Sequence, residues 1–237
     1  GRFEGRGFFE KNQAEHLAKE LRGQGYDVVT SGAPAYSTLG WFADPVLSTF
    51  INFSDADLAE LIFHELAHQR LYVPDDTAFN ESFATATAQA ATSKWLTARG
   101  DDGACKLYAD SVRRLYRITR MFRITRHNLR ALYSNPPNEI NALRRSKADI
   151  YKELRAELKI LQNEPGFSGV KGWLRRPMNN ASLGSVAIYH RHVPAFRNLF
   201  EICEHNFPDY FIAVEQLGKL PHAERHRALD LLRLPAP

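Results

Sequence analysis

The segment His64-Glu65-Leu66-Ala67-His68 constrains this chain more than anything else in it, because it lies inside the largely apolar run from Leu58 to Val73. On a helix, side chains four residues apart share one face a turn apart. The two imidazoles then stand side by side, with Glu65 next to them. A metal-dependent hydrolase uses that arrangement: two neutral ring nitrogens as ligands, and a carboxylate outside the coordination shell that takes a proton from water. The preceding Ser54-Asp55-Ala56-Asp57 reads as a capping box and sets the helix start. A purely structural role for two imidazoles and a carboxylate in apolar surroundings would carry a substantial desolvation cost.

Two ligands do not complete a catalytic site; three protein ligands and one open position are usual. The arrangement with a Gly three and a His six positions past the second His is excluded, since Leu71 and Pro74 stand there. Pro74 ends the first helix, and a second helical pattern runs from Thr77 to about Arg99 before Gly100. Glu81, one turn into this returning helix between Phe79 and Phe83, is the candidate third ligand. Asp75 and Asp76 are alternatives, though their position suits a turn and a helix cap better. A His-His-Glu set favours one zinc ion over magnesium or calcium.

Several further segments carry a resemblance. Pro34 to Phe42 (Pro-Ala-Tyr-Ser-Thr-Leu-Gly-Trp-Phe), Asp44-Pro45, Leu61 to Gln69, Asp76 to Ala84, Asn179-Asn180-Ala181, Tyr189 and Val193 to Phe196 together resemble the bacterial putative aminopeptidase family. The resemblance spans most of the chain. It implies a zincin-like, gluzincin-type peptidase acting on peptide substrates. It also implies a lipoprotein-type signal peptide and a further segment ahead of Gly1, so the chain is expected to be a truncated or processed form. Placement in the cell envelope or periplasm follows from the same resemblance, with a lipid anchor bringing the protein to a membrane surface.

The expected fold is α+β and predominantly helical, a single domain over residues 1–237 with a lobe over 1–100 that holds a small sheet and the metal helices, and a helical lobe over 101–237. At 237 residues, 44% hydrophobic and 24% charged, the chain has enough material for one real core. No window approaches the roughly 18 apolar residues of a membrane span. Helix is expected over Asn12–Gln24, and strands over Tyr26–Thr30 and Val46–Phe53. Further helices are expected over Gly103–Tyr133 and Asn138–Gln162, then near Ala181–Arg191, Pro194–His205, Pro208–Leu217 and Pro221–Leu232, with a loop over Gly166–Met178. Cys105 and Cys203 form no metal-binding pair; they are either two free thiols or one disulfide.

Roles follow from this reading. Glu65 is the candidate general base. Tyr189 is the candidate for stabilising the oxyanion, with packing as the competing role. Tyr36, Leu39 and Gly40 are candidates for holding an extended peptide at a strand edge, where Gly40 permits close approach. Asn180 is a candidate for binding substrate backbone, against its reading as a helix cap. A rival reading comes from Arg113, Arg114, Arg117, Arg120, Arg123, Arg126 and Arg130, a stretch without acidic residues that suits nucleic acid or an anionic membrane. The usual account of such a run is a solvated helix face, and the formal net charge is only +4. A zinc module that binds peptides without cleaving them is another alternative; the intact Glu65 speaks against it.

Overall fold

The computed structural model describes residues 6–30 and 53–233. Among these residues the chain is helical throughout, with α1 (Lys11–Gly23), α2 (Asp55–Arg70), α3 (Thr77–Ala98), α4 (Asp102–Ser134) and α5 (Ile140–Leu161). These are followed by α6 (Val170–Arg175), α7 (Asn180–His190), α8 (Val193–Ile202), α9 (Phe207–Lys219) and α10 (His222–Leu232). The chain divides into two compact units, one of Gly1–Gly32 with Arg113–Ala187, the other of Ala33–Val112 with Ile188–Pro237.

The expected α+β class is corrected: the described residues contain no strand. Tyr26–Thr30 has no regular structure, despite its β-branched and aromatic composition. Its polar groups find side-chain and helix-terminal partners instead of a neighbouring strand. The Val28 carbonyl accepts from Asn179, and the Asp27 carboxylate accepts from Lys147 and from the backbone N–H of Asn180. A β-prone segment without a ladder partner gains nothing from an extended conformation. The second expected strand, Val46–Phe53, lies outside the described residues up to Phe53. The loop expected over Gly166–Met178 contains the short α6.

In the unit that includes Arg113–Ala187, Phe122, Leu129, Leu154, Leu158, Leu161, Phe167, Val170, Leu183 and Val186 form the core, and Trp173 meets Phe122 edge-on at 4.9 Å. Gly166 turns the chain between α5 and α6 with φ of 83°, a left-handed conformation that favours glycine. A side chain there would also meet Arg114 at 2.9 Å.

The other unit is built around α3, whose Phe79, Ser82, Phe83, Ala84, Thr85, Ala86, Thr87 and Ala88 are all buried. From Phe79 to Ala88 almost no face is left to solvent, because α2 packs on one side and α8 on another. Phe79 and Phe83 meet Phe196 of α8 at 5.2 and 5.8 Å between ring centres, and Tyr210 of α9 lies 6.2 Å from Phe83. Helix starts follow the sequence signals. Ser54 accepts from Asp57 N, Asp76 from Phe79 N and Asn206 from Asp209 N, while Pro194 and Pro208 occupy first-turn positions.

Candidate metal centre

The six-residue connection between α2 and α3 folds the two helices into an antiparallel hairpin, with Asp55 and Arg99 paired at one end and the His–Glu group near the other. The connection is held from inside by Asn80, whose side chain donates to the Val73 carbonyl at 2.8 Å and accepts from the Val73 N–H at 2.9 Å. Asp75 adopts φ of 61°, as a turn residue does, and Asp76 caps α3. These two alternatives to Glu81 therefore serve the turn and the cap.

His64, His68 and Glu81 come together. Their Nε2 atoms are 3.2 Å apart, the Glu81 carboxylate oxygens lie 3.3 Å from His64 and 3.7 Å from His68, and the rings stand edge to face at 4.8 Å. At such separations the three atoms are reconciled either by protons shared between them or by a cation among them. Tetrahedral zinc with bonds of about 2.0–2.1 Å sets its ligand atoms roughly 3.3–3.4 Å apart, so this donor set fits such an ion. Burial alone would raise the Glu81 carboxyl, but hydrogen bonds and charge from the two imidazoles override it and hold the group down to about 2. His68 Nδ1 is buried without a hydrogen-bond partner among the described residues. Glu65 is half-buried beside the pair.

The polar seam of the hairpin continues one turn back along α2 from His64. Glu60 accepts from the Tyr108 hydroxyl at 2.7 Å and has the Gln89 amide nearby. Burial is the largest influence and pushes its carboxyl above the usual range despite those neighbours.

Of the other sequence candidates, Tyr36, Leu39 and Gly40 lie outside the described residues. Tyr189 is on the last turn of α7. Asn180 opens α7 and is engaged locally: its N–H donates to Asp27, and its side-chain oxygen accepts from Tyr151 at 2.8 Å. Asn179 supplies the cap through Ser182 N. His190 is the last residue of α7. Burial, helped by the charge of nearby His64, pushes its imidazole down to about 4. The cysteines are free thiols. Arg117 pairs with Glu164 and covers Phe167 at 5.0 Å, so part of the basic run is used inside the molecule.

A second group of donor atoms, from Asp76, His222 and His226, also falls within 4.8 Å. Here the guanidinium of Arg225 already occupies the carboxylate at 2.8 Å, and the two imidazoles stack at 4.2 Å with ring planes 24° apart. No helix among the described residues is long and apolar enough to cross a membrane.

The first site defines a class: a helical protein in which His64, His68 and Glu81 form a group able to hold a metal ion. The chain belongs to the putative aminopeptidase family, whose model matches residues 1–229. No curated protein and no solved structure matched the chain.

Proposed function

We propose that the chain is a zinc-dependent peptidase in which His64, His68 and Glu81 hold one zinc ion and Glu65 is the general base. The convergence of three donor atoms on α2 and α3, at separations that suit one tetrahedral ion, is the observation that carries this reading. A bound zinc ion supplies Lewis acidity, polarising the scissile carbonyl and acidifying water.

Glu65 is one residue along the helix from His64. It accepts the proton of the attacking water and returns it to the leaving amine. Glu81 would supply the anionic ligand of the set. His190, kept neutral by burial, offers a ring N–H to the oxyanion, a role it shares as a candidate with Tyr189. The name of the family supports a preference for free N-termini.

The test is zinc content of wild type and Glu65→Gln, paired with digestion of a mixed peptide library read by mass spectrometry. One zinc in both proteins, with residues trimmed singly from N-termini by wild type alone, is the expected result. Internal cuts would keep the mechanism and discard the aminopeptidase assignment. Absence of zinc in wild type would overturn the reading.

A further inference from the structure

Four polar side chains outside the metal site are buried together: Asp76, His192, Arg225 and His226, with His192 fully inaccessible. Asp76 Oδ1 accepts from Phe79 N, Oδ2 accepts from Arg225 Nε at 2.8 Å, and His226 Nε2 faces both oxygens at 3.0 and 3.1 Å. His226 Nδ1 in turn lies 3.2 Å from His192 Nε2. Arg225 is itself fixed by the carbonyls of Gly218 and Leu220.

For neutral imidazoles the contacts fix the protons. An ionised Asp76 only accepts, so a neutral His226 carries its one proton on Nε2 and accepts at Nδ1, and His192 then carries its proton on Nε2. In that order every contact is satisfied, and His192 Nδ1 is left as a bare lone pair. That atom is buried without a hydrogen-bond partner among the described residues, which costs less for a lone pair than for an N–H.

The ends of the chain are placed informatively. Asp76 caps the helix that carries Glu81, and the His192 backbone N–H donates at 3.0 Å to Ser82, the residue after Glu81. His192 lies two residues past His190, the last residue of α7.

We propose that Asp76, His226 and His192 form a hydrogen-bonded relay that positions the α7–α8 corner, with His190 on it, against the first turns of α3. His192 and His226 are positioning residues. Their importance for turnover rests on the peptidase reading; the relay itself does not.

Long-range nitrogen–proton NMR of the uniformly labelled wild-type protein near pH 7 tests the relay without a substrate. Neutral His192 and His226, each protonated on Nε2, are expected. An imidazolium at either, or a proton on His192 Nδ1, overturns the proposal. So does a second zinc equivalent lost in His222→Ala, since a metal on His226 Nε2 excludes the proton there.

Hydrogen exchange then tests positioning. His192→Gln, whose amide can donate to His226 Nδ1, should leave exchange at residues 190–193 near wild type, whereas His192→Phe, which fills the volume without a donor, should speed it about tenfold or more. Equal behaviour of the two variants means that packing alone holds the corner and overturns the proposal. If wild type cleaves peptides, His192→Phe should also lower kcat on the order of tenfold with KM within about twofold; if it cleaves none, the peptidase reading fails and the relay stands on NMR and exchange.

Discussion

Glu60 and Glu81 line the same helix hairpin, yet their carboxyl groups shift in opposite directions. Both lose hydration. Glu81 faces two imidazoles and is held down to about 2, while burial, reinforced by the charge of Asp57, keeps Glu60 above the usual range despite Tyr108, Gln89 and His64. The consequences differ. Glu81→Ala should lose stoichiometric zinc, and Asp75→Ala should keep it, because Asp75 serves a turn; zinc content of the two variants decides between them. For Glu60 the folded state binds its proton more tightly than the unfolded state, so it opposes folding as pH rises through its unfolded value, and the penalty persists at neutrality. Glu60→Gln keeps an acceptor for Tyr108 without the charge. It should be more stable than wild type at pH 7, with the gap closing near pH 4, by chemical denaturation at both values. A less stable variant at pH 7 would mean that the ionised group holds the seam together.

Element by element, the sequence signals that were read correctly were local ones. Ser54, the prolines of α8 and α9, and the His64–His68 spacing act within a turn or two of chain, so the described helices other than α6 fall within a few residues of the expected bounds. The strand at Tyr26–Thr30 failed because strand formation needs a partner distant in sequence, and here Lys147, Asn179 and Asn180 take up the polar groups instead. The relay was hidden for the same reason: His222 and His226 show a helical spacing in the sequence, but Asp76 and His192 join His226 only through the packing of α3, α8 and α10. That cluster also sets an acid limit on the fold. Burial, together with the charges of Arg191, His226 and Arg233, pushes the His192 imidazole down to about 3, and burial likewise lowers His226. Both groups gain protons in the unfolded chain below about pH 6.5 but resist them when folded, so stability falls as pH drops from there. The Asp76 carboxyl adds a further loss in stronger acid: burial works to raise it, but its bonds to His226, Phe79 N and Arg225 outweigh that and keep it below its ordinary value. His192→Gln should flatten the dependence of unfolding free energy on pH between about 6.5 and 4 by up to one proton, or about 1.4 kcal/mol per pH unit; an unchanged slope would locate the acid sensitivity elsewhere.

At the scale of the whole molecule, the proposed zinc ligands all belong to the unit of Ala33–Val112 with Ile188–Pro237. The core around Leu154, Leu158 and Phe122 belongs to the other unit. Ligand binding stabilises only the structure that must be intact to bind, by about 2.7 kcal/mol at a free concentration a hundred times Kd. Zinc should therefore slow amide exchange first in α2 and α3, whose side chains supply the donors, and next in α8 and α10, which are packed on α3 or on each other. Amides of α5, whose buried leucines face the separate core, should change little unless both units open together. The measurement is hydrogen exchange by mass spectrometry on chelator-treated protein with and without added zinc, repeated with Glu81→Ala. Protection concentrated in α2 and α3 and abolished by the substitution is the expected pattern. Protection spread evenly over α5 as well would show that the two units open as one cooperative body, and protection that survives in Glu81→Ala would remove Glu81 from the ligand set.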